Sequence, residues 1–425
     1  MKNKKETLLI LTILITICII IFNRDKLYEA KYTEPKETLL AITINGEIST
    51  TFPTTDMYTG TVECTTGTGK VEWNGTKWVL TTSGITKGST KCNATFNQTL
   101  RQSILAKNEV KAPITTPGAA VSTASEALLA STEDDYGTSY YFRGAVKNNY
   151  VEFANKCWRI VRVGGDGSVK LILHNDNKAG VANPCDAANN SASAAFARYS
   201  GETYKSEFNT NTDDNAYVGF KYGTVGASGY ASAHANTNNS TILTNLETWY
   251  TNNLKTYESV IDDNVWCNDK TNVTDETYDP WNYTPNGLGY AKNVTYYGAT
   301  QRLVSTSGSA GGTGPSLKCN GELSKINSKV GLITADELAL AGYAYAKNNT
   351  TTYLQENATD TYWWSLSPYF FNGDGACVWR VYGGSGGFGN YYVNRTGGVR
   401  PSISLKSTTN VTGEGTSSSP YIISM

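Results

Sequence analysis

The sequence predicts an α+β protein, on three observations. Between Tyr362 and Leu405, short β-type runs alternate with Gly, Asn and Asp: Tyr362 to Pro368, Ala376 to Val381, Asn390 to Asn394 and Gly397 to Leu405. This is the punctuation of an antiparallel meander. Ile242, Leu246, Trp249, Tyr250 and Leu254 form one apolar helical stripe behind Ser240, a suitable N-cap. A second helix start stands at Thr334, where Glu337 completes a capping box and the pattern continues to about Lys347.

Composition sets the class. The chain has 425 residues, enough for two or three domains. It holds 28 Tyr and 9 Trp but only 3 Met and 2 His, and charged residues make up 17%. Tyr- and Thr-rich strands with Asn/Gly turns point to β-rich extracellular architecture. The net charge of −1 gives no pull towards nucleic acid, which is excluded as a partner.

The N-terminus reads as an export signal that stays attached. Residues 1–6 form a basic cytoplasmic tail and residues 7–22 a transmembrane signal anchor. The apolar run Leu8–Phe22 is about 15 residues, ~22 Å as a helix against a hydrocarbon core of ~30 Å, a gap that flanking Lys and Arg can close by snorkelling. No small-x-small cleavage site follows Phe22, and Ile17 before Cys18 argues against lipoprotein processing. The expectation is a single-pass cell-membrane protein with its bulk outside, contacting the membrane through residues 7–22.

Residues 23–40 then form a stalk and residues 41–100 a small all-β, sandwich-like module. Asn74-Gly75 between Trp73 and Trp78 predicts a hairpin there. Residues 101–135 read as an Ala/Ser/Thr/Pro linker with a short helix near Ala124–Ala130. The large domain covers 136–406, with a hairpin turned at Gly164-Gly165-Asp166-Gly167, and 407–425 is a β tail. Of the 8 cysteines, Cys18 lies in the apolar run. Sequence proximity suggests Cys64 with Cys92, Cys157 with Cys185, and Cys267 with Cys319, leaving Cys377 odd; spacing does not prove connectivity.

Catalytic chemistry finds little to build on. His174 and His234 both sit in polar turns and read as surface residues. The pairs Asp134-Asp135, Asp213-Asp214 and Asp262-Asp263 read as solvated or as holding a structural calcium, not as a glycosidase dyad. Gly311 to Gly314 and Gly383 to Gly389 lack the lysine of a phosphate loop. No Cys/His cluster suggests a metal, and no cofactor is expected. Trp363 and Trp364, adjacent on a strand, face opposite ways, so one is core and the other nearer the surface. Arg380 and Arg400 read as structural partners of Glu337 in preference to ligand anchors.

Several motifs together carry a resemblance. They are Trp363-Trp364-Ser365-Leu366-Ser367-Pro368, Gly398-Val399-Arg400-Pro401, Cys157-Trp158-Arg159-Ile160-Val161, Leu246-Glu247-Thr248-Trp249-Tyr250 and Leu332-Ile333-Thr334-Ala335-Asp336-Glu337. Over residues 136–425 the chain resembles a Firmicutes-type bacterial surface-protein family of uncharacterised function, which implies a Gram-positive cell surface. It is more distantly similar to the C-type-lectin-like fold, including its formylglycine-generating-enzyme branch and the variable proteins of diversity-generating retroelements. The enzyme branch uses two cysteines near its C-terminus where this chain has only Cys377, so its oxidase activity is not implied. Calcium-dependent sugar motifs have no convincing counterpart in Thr284-Pro285-Asn286 or Trp266-Cys267-Asn268-Asp269. The resemblance to variable proteins implies ligand contacts on the terminal sheet, diversified over Tyr369 to Asn394.

The expectation is therefore a non-enzymatic surface adhesion protein, a C-type-lectin-like domain that binds an extracellular protein or glycan. Its predicted contacts are Tyr369, Phe371, Asn372, Asp374, Tyr382, Ser385, Phe388, Asn390, Tyr391, Asn394 and Arg395, a mixture of rigid aromatic and adaptable polar types. The alternatives are a surface enzyme acting on glycans, which needs a cleft with two carboxylates, and a pilus or surface-layer subunit.

Overall fold

The computed structural model describes residues 39–424 apart from 57, 87–89 and 177–180. The chain divides after Gln102 into two units. The first holds β1 (Leu39–Ile44), β2 (Glu47–Ser49), β3 (Thr59–Cys64), β4 (Thr68–Trp73), β5 (Trp78–Ser83) and β6 (Lys91–Asn97). Four of these form a sheet in the order β2-β1-β6-β3, with β1 and β6 parallel, and β4 pairs with β5. The β4–β5 turn follows its sequence signal: Asn74 Oδ1 accepts from the Thr76 and Lys77 amides, and Gly75 takes φ 97°. Alternation buries Ile42, Ala94, Phe96, Val71 and Trp78 as one core. The Trp78 indole meets Phe96 edge-on at 5.0 Å and donates to the Thr55 carbonyl.

Helix α1 (Leu100–Lys107) lies at the division. The second unit then runs β7 (Ala127–Asp134), β8 (Gly137–Gly144), β9 (Tyr150–Phe153), β10 (Lys156–Val163), β11 (Val169–Asn175) and β12 (Lys205–Glu207). Next come β13 (Lys221–Tyr222), α2 (Tyr230–Ala233), β14 (Asn238–Asn239), α3 (Thr241–Asn253), β15 (Asn264–Cys267), β16 (Thr295–Tyr296), α4 (Gly298–Leu303), β17 (Lys325–Ser328) and α5 (Ala335–Ala341). The chain closes with β18 (Trp363–Phe371), β19 (Ala376–Val381), β20 (Phe388–Tyr392), β21 (Thr396–Gly398), β22 (Ser402–Leu405), β23 (Val411–Thr412) and β24 (Tyr421–Ile423). One sheet has the order β22-β11-β10-β9-β24-β23, with β8 on β10 and β7 on β8. The other has the order β12-β21-β18-β19-β20, with β16 beside β18.

The α+β, C-type-lectin-like assignment is corrected by this architecture, which is mostly β. The longest described helix, α3, has 13 residues, and α5 has 7. The α5 pattern stops early because Gly342 at φ 127° caps it and its amide turns back to the Leu338 and Ala339 carbonyls. Ala124–Ala130, expected as helix, contributes instead to β7, which pairs with β8 along its whole length. The single-pass membrane placement is corrected as well: no helix among the described residues is long and apolar enough to cross a membrane. The expected anchor at 7–22 lies outside the described residues. The last run of the meander also departs, since β22 leaves β18–β20 and pairs with β11 in the other sheet.

Disulfides join Cys64 to Cys92, Cys157 to Cys185 and Cys267 to Cys319. The first joins directly opposed residues of β3 and β6. Cys377 is free and buried, and burial raises its thiol pKa. A buried thiol of raised pKa is inert. Alkylation followed by peptide mapping should therefore label the Cys377 peptide only after denaturation; labelling of the native protein would contradict this burial.

A buried charge node fixes the second unit. Arg162 on β10 and Lys170 on β11 stand opposite each other, a like-charge pair that would repel. Glu337 resolves it: its Oε1 accepts from Arg162 Nε at 2.9 Å and Lys170 Nζ at 2.6 Å. Its Oε2 accepts from the Thr334 amide, closing the predicted capping box. Arg162 also reaches Asp134 at 3.0 Å. Burial by itself would raise the Glu337 pKa, but Lys170, Arg162 and the Thr334 amide hold it down to about 2. A lowered carboxyl stabilises the fold fully above its unfolded pKa of about 4.3 and loses that contribution as pH falls towards 2. Glu337→Gln should cost on the order of 3 kcal/mol at pH 7 by leaving buried Lys170 without a carboxylate and Arg162 with Asp134 alone. In urea titrations the gap from the parent should narrow as pH drops from about 4.5 to about 2.

Candidate ligand-binding site on the terminal sheet

The same cap hangs the terminal sheet. The Leu366 amide donates to the Ile333 carbonyl, and the Ala335 amide donates to Ser367 Oγ, so the middle of β18 is pinned to the start of α5. Pro368 has no amide to give, and the β18–β19 register shifts on both sides of it. Beyond this irregularity, consecutive residues Tyr369 and Phe370 both join one aromatic cluster. Tyr369 meets Trp379 at 4.7 Å and Trp281 at 5.2 Å; Phe370 meets Trp281 at 5.9 Å and Tyr283 at 5.7 Å. Phe388 closes the cluster against Trp379 at 4.5 Å.

Strand alternation gives β19 two different faces. Trp379 points into that cluster. Arg380 points the other way, opposite Trp364 on β18 and Gly389 on β20. Its guanidinium carbon lies 3.2 Å from the Tyr382 ring centre, 5.4 Å from Tyr391 and 5.7 Å from Tyr362. Arg395 sits 5.9 Å from the outer Tyr391 ring. Arg380 is only 5% exposed, yet its Nε and Nη1 have no hydrogen-bond acceptor. No carboxylate among the described residues pairs with it. Burial pushes its pKa down from the ordinary value, opposed by the neighbouring Tyr382, Tyr362 and Tyr391. Arginine nevertheless remains protonated in proteins.

The predicted contacts divide accordingly. Tyr369, Phe371 and Phe388 are buried at 1%, 0% and 2% exposure and are corrected to core residues: Tyr369 and Phe388 pack in the aromatic cluster against Trp379, and Phe371 is buried opposite Ala376. Asn372 is half-buried and its Oδ1 accepts from the Asp374 and Gly375 amides, so it builds the β18–β19 turn on which Asp374 is exposed. Ser385 is half-buried and its Oγ accepts from the Gly387 amide in the next turn. Asn390 stands opposite Trp379, on the face away from Arg380. Asn394 and Arg395 are exposed, Tyr391 is half-buried and Tyr382 is 47% exposed. The structure thus gathers Tyr382, Tyr391 and Arg395 around Arg380. Sequence reasoning assigned Arg380 to Glu337 and left out Tyr362. The available signal was a lone cation in the apolar run Ala376–Val381.

Other sequence expectations change too. Trp363 and Trp364 are both fully buried. Arg400 serves the Leu173 and Leu354 carbonyls instead of Glu337. His174 and His234 are buried, not superficial. Burial, then Arg159 and Arg400, holds His174 well below its usual range; burial and Lys270 push His234 down to about 3. Asp134 pairs with Arg162, Asp214 accepts from the Ala216 and Gly226 amides, and Asp263 meets Lys329. Among the described residues no group of three His, Cys, Asp or Glu could hold a metal ion.

The two faces predict opposite mutational behaviour. Phe388→Ala should cost about 3–5 kcal/mol of stability as a core truncation. Tyr382→Ala, at an exposed ring, should stay within about 1 kcal/mol. Chemical denaturation of the two variants checks this, and equal losses would contradict the division into core and rim.

No protein-family model, curated protein or solved structure matches this chain.

Proposed function

We propose that this chain is an exported binding protein whose terminal sheet captures an extracellular glycan or protein through the Arg380 face. Arg380 carries the reading. A buried guanidinium with two acceptor-less N–H groups costs free energy in the unliganded protein, and a ligand that supplies the acceptors recovers it. The surrounding rings offer rigid contact area, while Asn394 and Arg395 at the rim add adaptable polar contacts. Three disulfides fit an oxidising, extracellular compartment. Binding is favoured over catalysis because both histidines are buried and Asp134 and Asp214 are engaged in structural contacts.

The test is a combined Tyr391→Ala, Arg395→Ala variant of the full chain on arrays of extracellular glycans and proteins. Capture should fall at least tenfold, about 1.4 kcal/mol, with the thermal midpoint unchanged. Undiminished capture would place the binding surface elsewhere.

The likeness to retroelement-diversified proteins gains a sharper form. Diversification is tolerated at Tyr382, Ser385, Tyr391, Asn394 and Arg395, which lie at the rim of the Arg380 face or in turns, and not at Tyr369, Phe371 or Phe388 in the core. Sequencing this locus across strains should show substitutions confined to the first group. An invariant segment, or variation at the core positions, would sink the proposal.

A further inference from the structure

We infer that Lys270 and Asn236 form a self-modification site, in which the lysine amine displaces ammonia from the asparagine amide and leaves an isopeptide cross-link inside the second unit. The inference stands apart from the Arg380 face. Three lysines among the described residues are buried: Lys156, Lys170 and Lys270. Lys156 pairs with Asp176, and Lys170 pairs with Glu337. Lys270, at 0% exposure, has no carboxylate partner among the described residues. Its Nζ meets the Lys221 carbonyl at 3.1 Å, the His234 carbonyl at 3.2 Å and Asn236 Oδ1. An ammonium buried without a counter-charge is driven to give up its proton. Burial accordingly pushes the Lys270 pKa down to about 7, so near neutral pH much of the amine is uncharged.

Losing the proton changes what the amine can do. An ammonium has three N–H groups, one for each of these acceptors. The neutral amine has two, which the Lys221 and His234 carbonyls take, and its lone pair is left towards the Asn236 amide. Asn236 Cγ stands one C=O bond, about 1.2 Å, behind Oδ1, which brings it to roughly 3–3.5 Å from Nζ, the near-attack range. The target is held too: Asn236 Nδ2 donates to the Leu323 carbonyl at 2.9 Å, and the residue takes φ 56° between α2 and β14. Reactants fixed in this way behave as though the free amine were present at ~10⁵ M or more. In the step, the Nζ lone pair forms the bond to Cγ while the carbonyl π pair moves onto Oδ1. That pair returns as the Cγ–Nδ2 bond breaks, and Nδ2 takes one proton from Nζ and departs as ammonia. No oxidant or co-reactant is consumed. Asn236 is half-buried, which leaves ammonia a way out. No carboxylate among the described residues bonds to either group, so the proton passes between the two nitrogens and the bond forms slowly after folding.

The experiment is mass spectrometry of the full chain, aged for days in the folded state at mildly alkaline pH, then denatured, reduced, alkylated and digested. The digest should contain one branched peptide joining Lys270 to Asn236, lighter by about 17 Da, one ammonia, than its two linear parts together. Lys270→Arg, which keeps donors for the same carbonyls, and Asn236→Ala should each lack the branched peptide. Both denatured and reduced variants should migrate more slowly on a gel than the parent, whose chain is closed into a loop. Succinimide formation at Asn74-Gly75 also releases ammonia, so a mass loss without a branched peptide, or one that persists in both variants, would overturn the cross-link. Recovery of only linear, full-mass peptides from the aged parent would overturn it as well, and that measurement needs no variant to fold.

Discussion

The second unit depends on one carboxylate. Without Glu337, Arg162 and Lys170 would stand opposite each other on central strands with Asp134, on Arg162, as the one remaining counter-charge among their ion pairs. With it, β10 and β11 are bound to the first turn of α5, whose Thr334 amide takes the remaining oxygen. A cap that in an isolated helix contributes about 1 kcal/mol thereby fixes the position of a whole element. The consequence extends to β18, because Leu366 and Ser367 dock on Ile333 and Ala335 at the same place. The Arg380 face is thus set by contacts well away from it. Rotating α5 would shift β18, its partner β19 and the guanidinium together.

How much of this was legible follows from the range over which each interaction acts. Local features read correctly: the Asn74-Gly75 turn, Ser240 as the N-cap of α3, and the Thr334–Glu337 box each depend on a few neighbouring residues. The three disulfides agree with pairing by proximity. The β18–β20 hairpins were visible from their Gly and Asn turns. What failed was long-range or compositional. The apolar and Ala-rich stretch near Ala127 reads as helix until β8 provides an edge for it to pair with. β22 looks continuous with the meander, but its partner β11 lies more than two hundred residues earlier. The tyrosines misled most, because one residue type serves both core and rim. Tyr369 and Tyr391 have equal composition signals, and only strand register around Pro368 puts the first into the aromatic cluster and the second beside Arg380.

The significance of Arg380 is decided by comparison with the other buried arginines of the same unit. Arg143 donates to Glu126, to the Ala339 and Leu340 carbonyls and to Thr115. Arg159 is held by Asn149, the Val146 carbonyl and Glu356. Arg400 leaves only Nη2 without an acceptor, and its Nε and Nη1 serve two backbone carbonyls. This fold therefore has the means to satisfy a buried guanidinium and uses them three times, with carboxylates at Arg143 and Arg159 and backbone carbonyls at all three. At Arg380 the strand neighbours are Trp364 and Gly389, which supply a ring and no side chain. A Gln at position 389 could have provided an acceptor, and its place is taken by a residue that leaves space. An arginine serving only as packing would be replaced at little cost by Met or Leu, which fill similar volume without desolvating a charge. Arg380 instead stands beside the open space at Gly389, among the exposed Tyr382 and the half-buried Tyr391 and Tyr362.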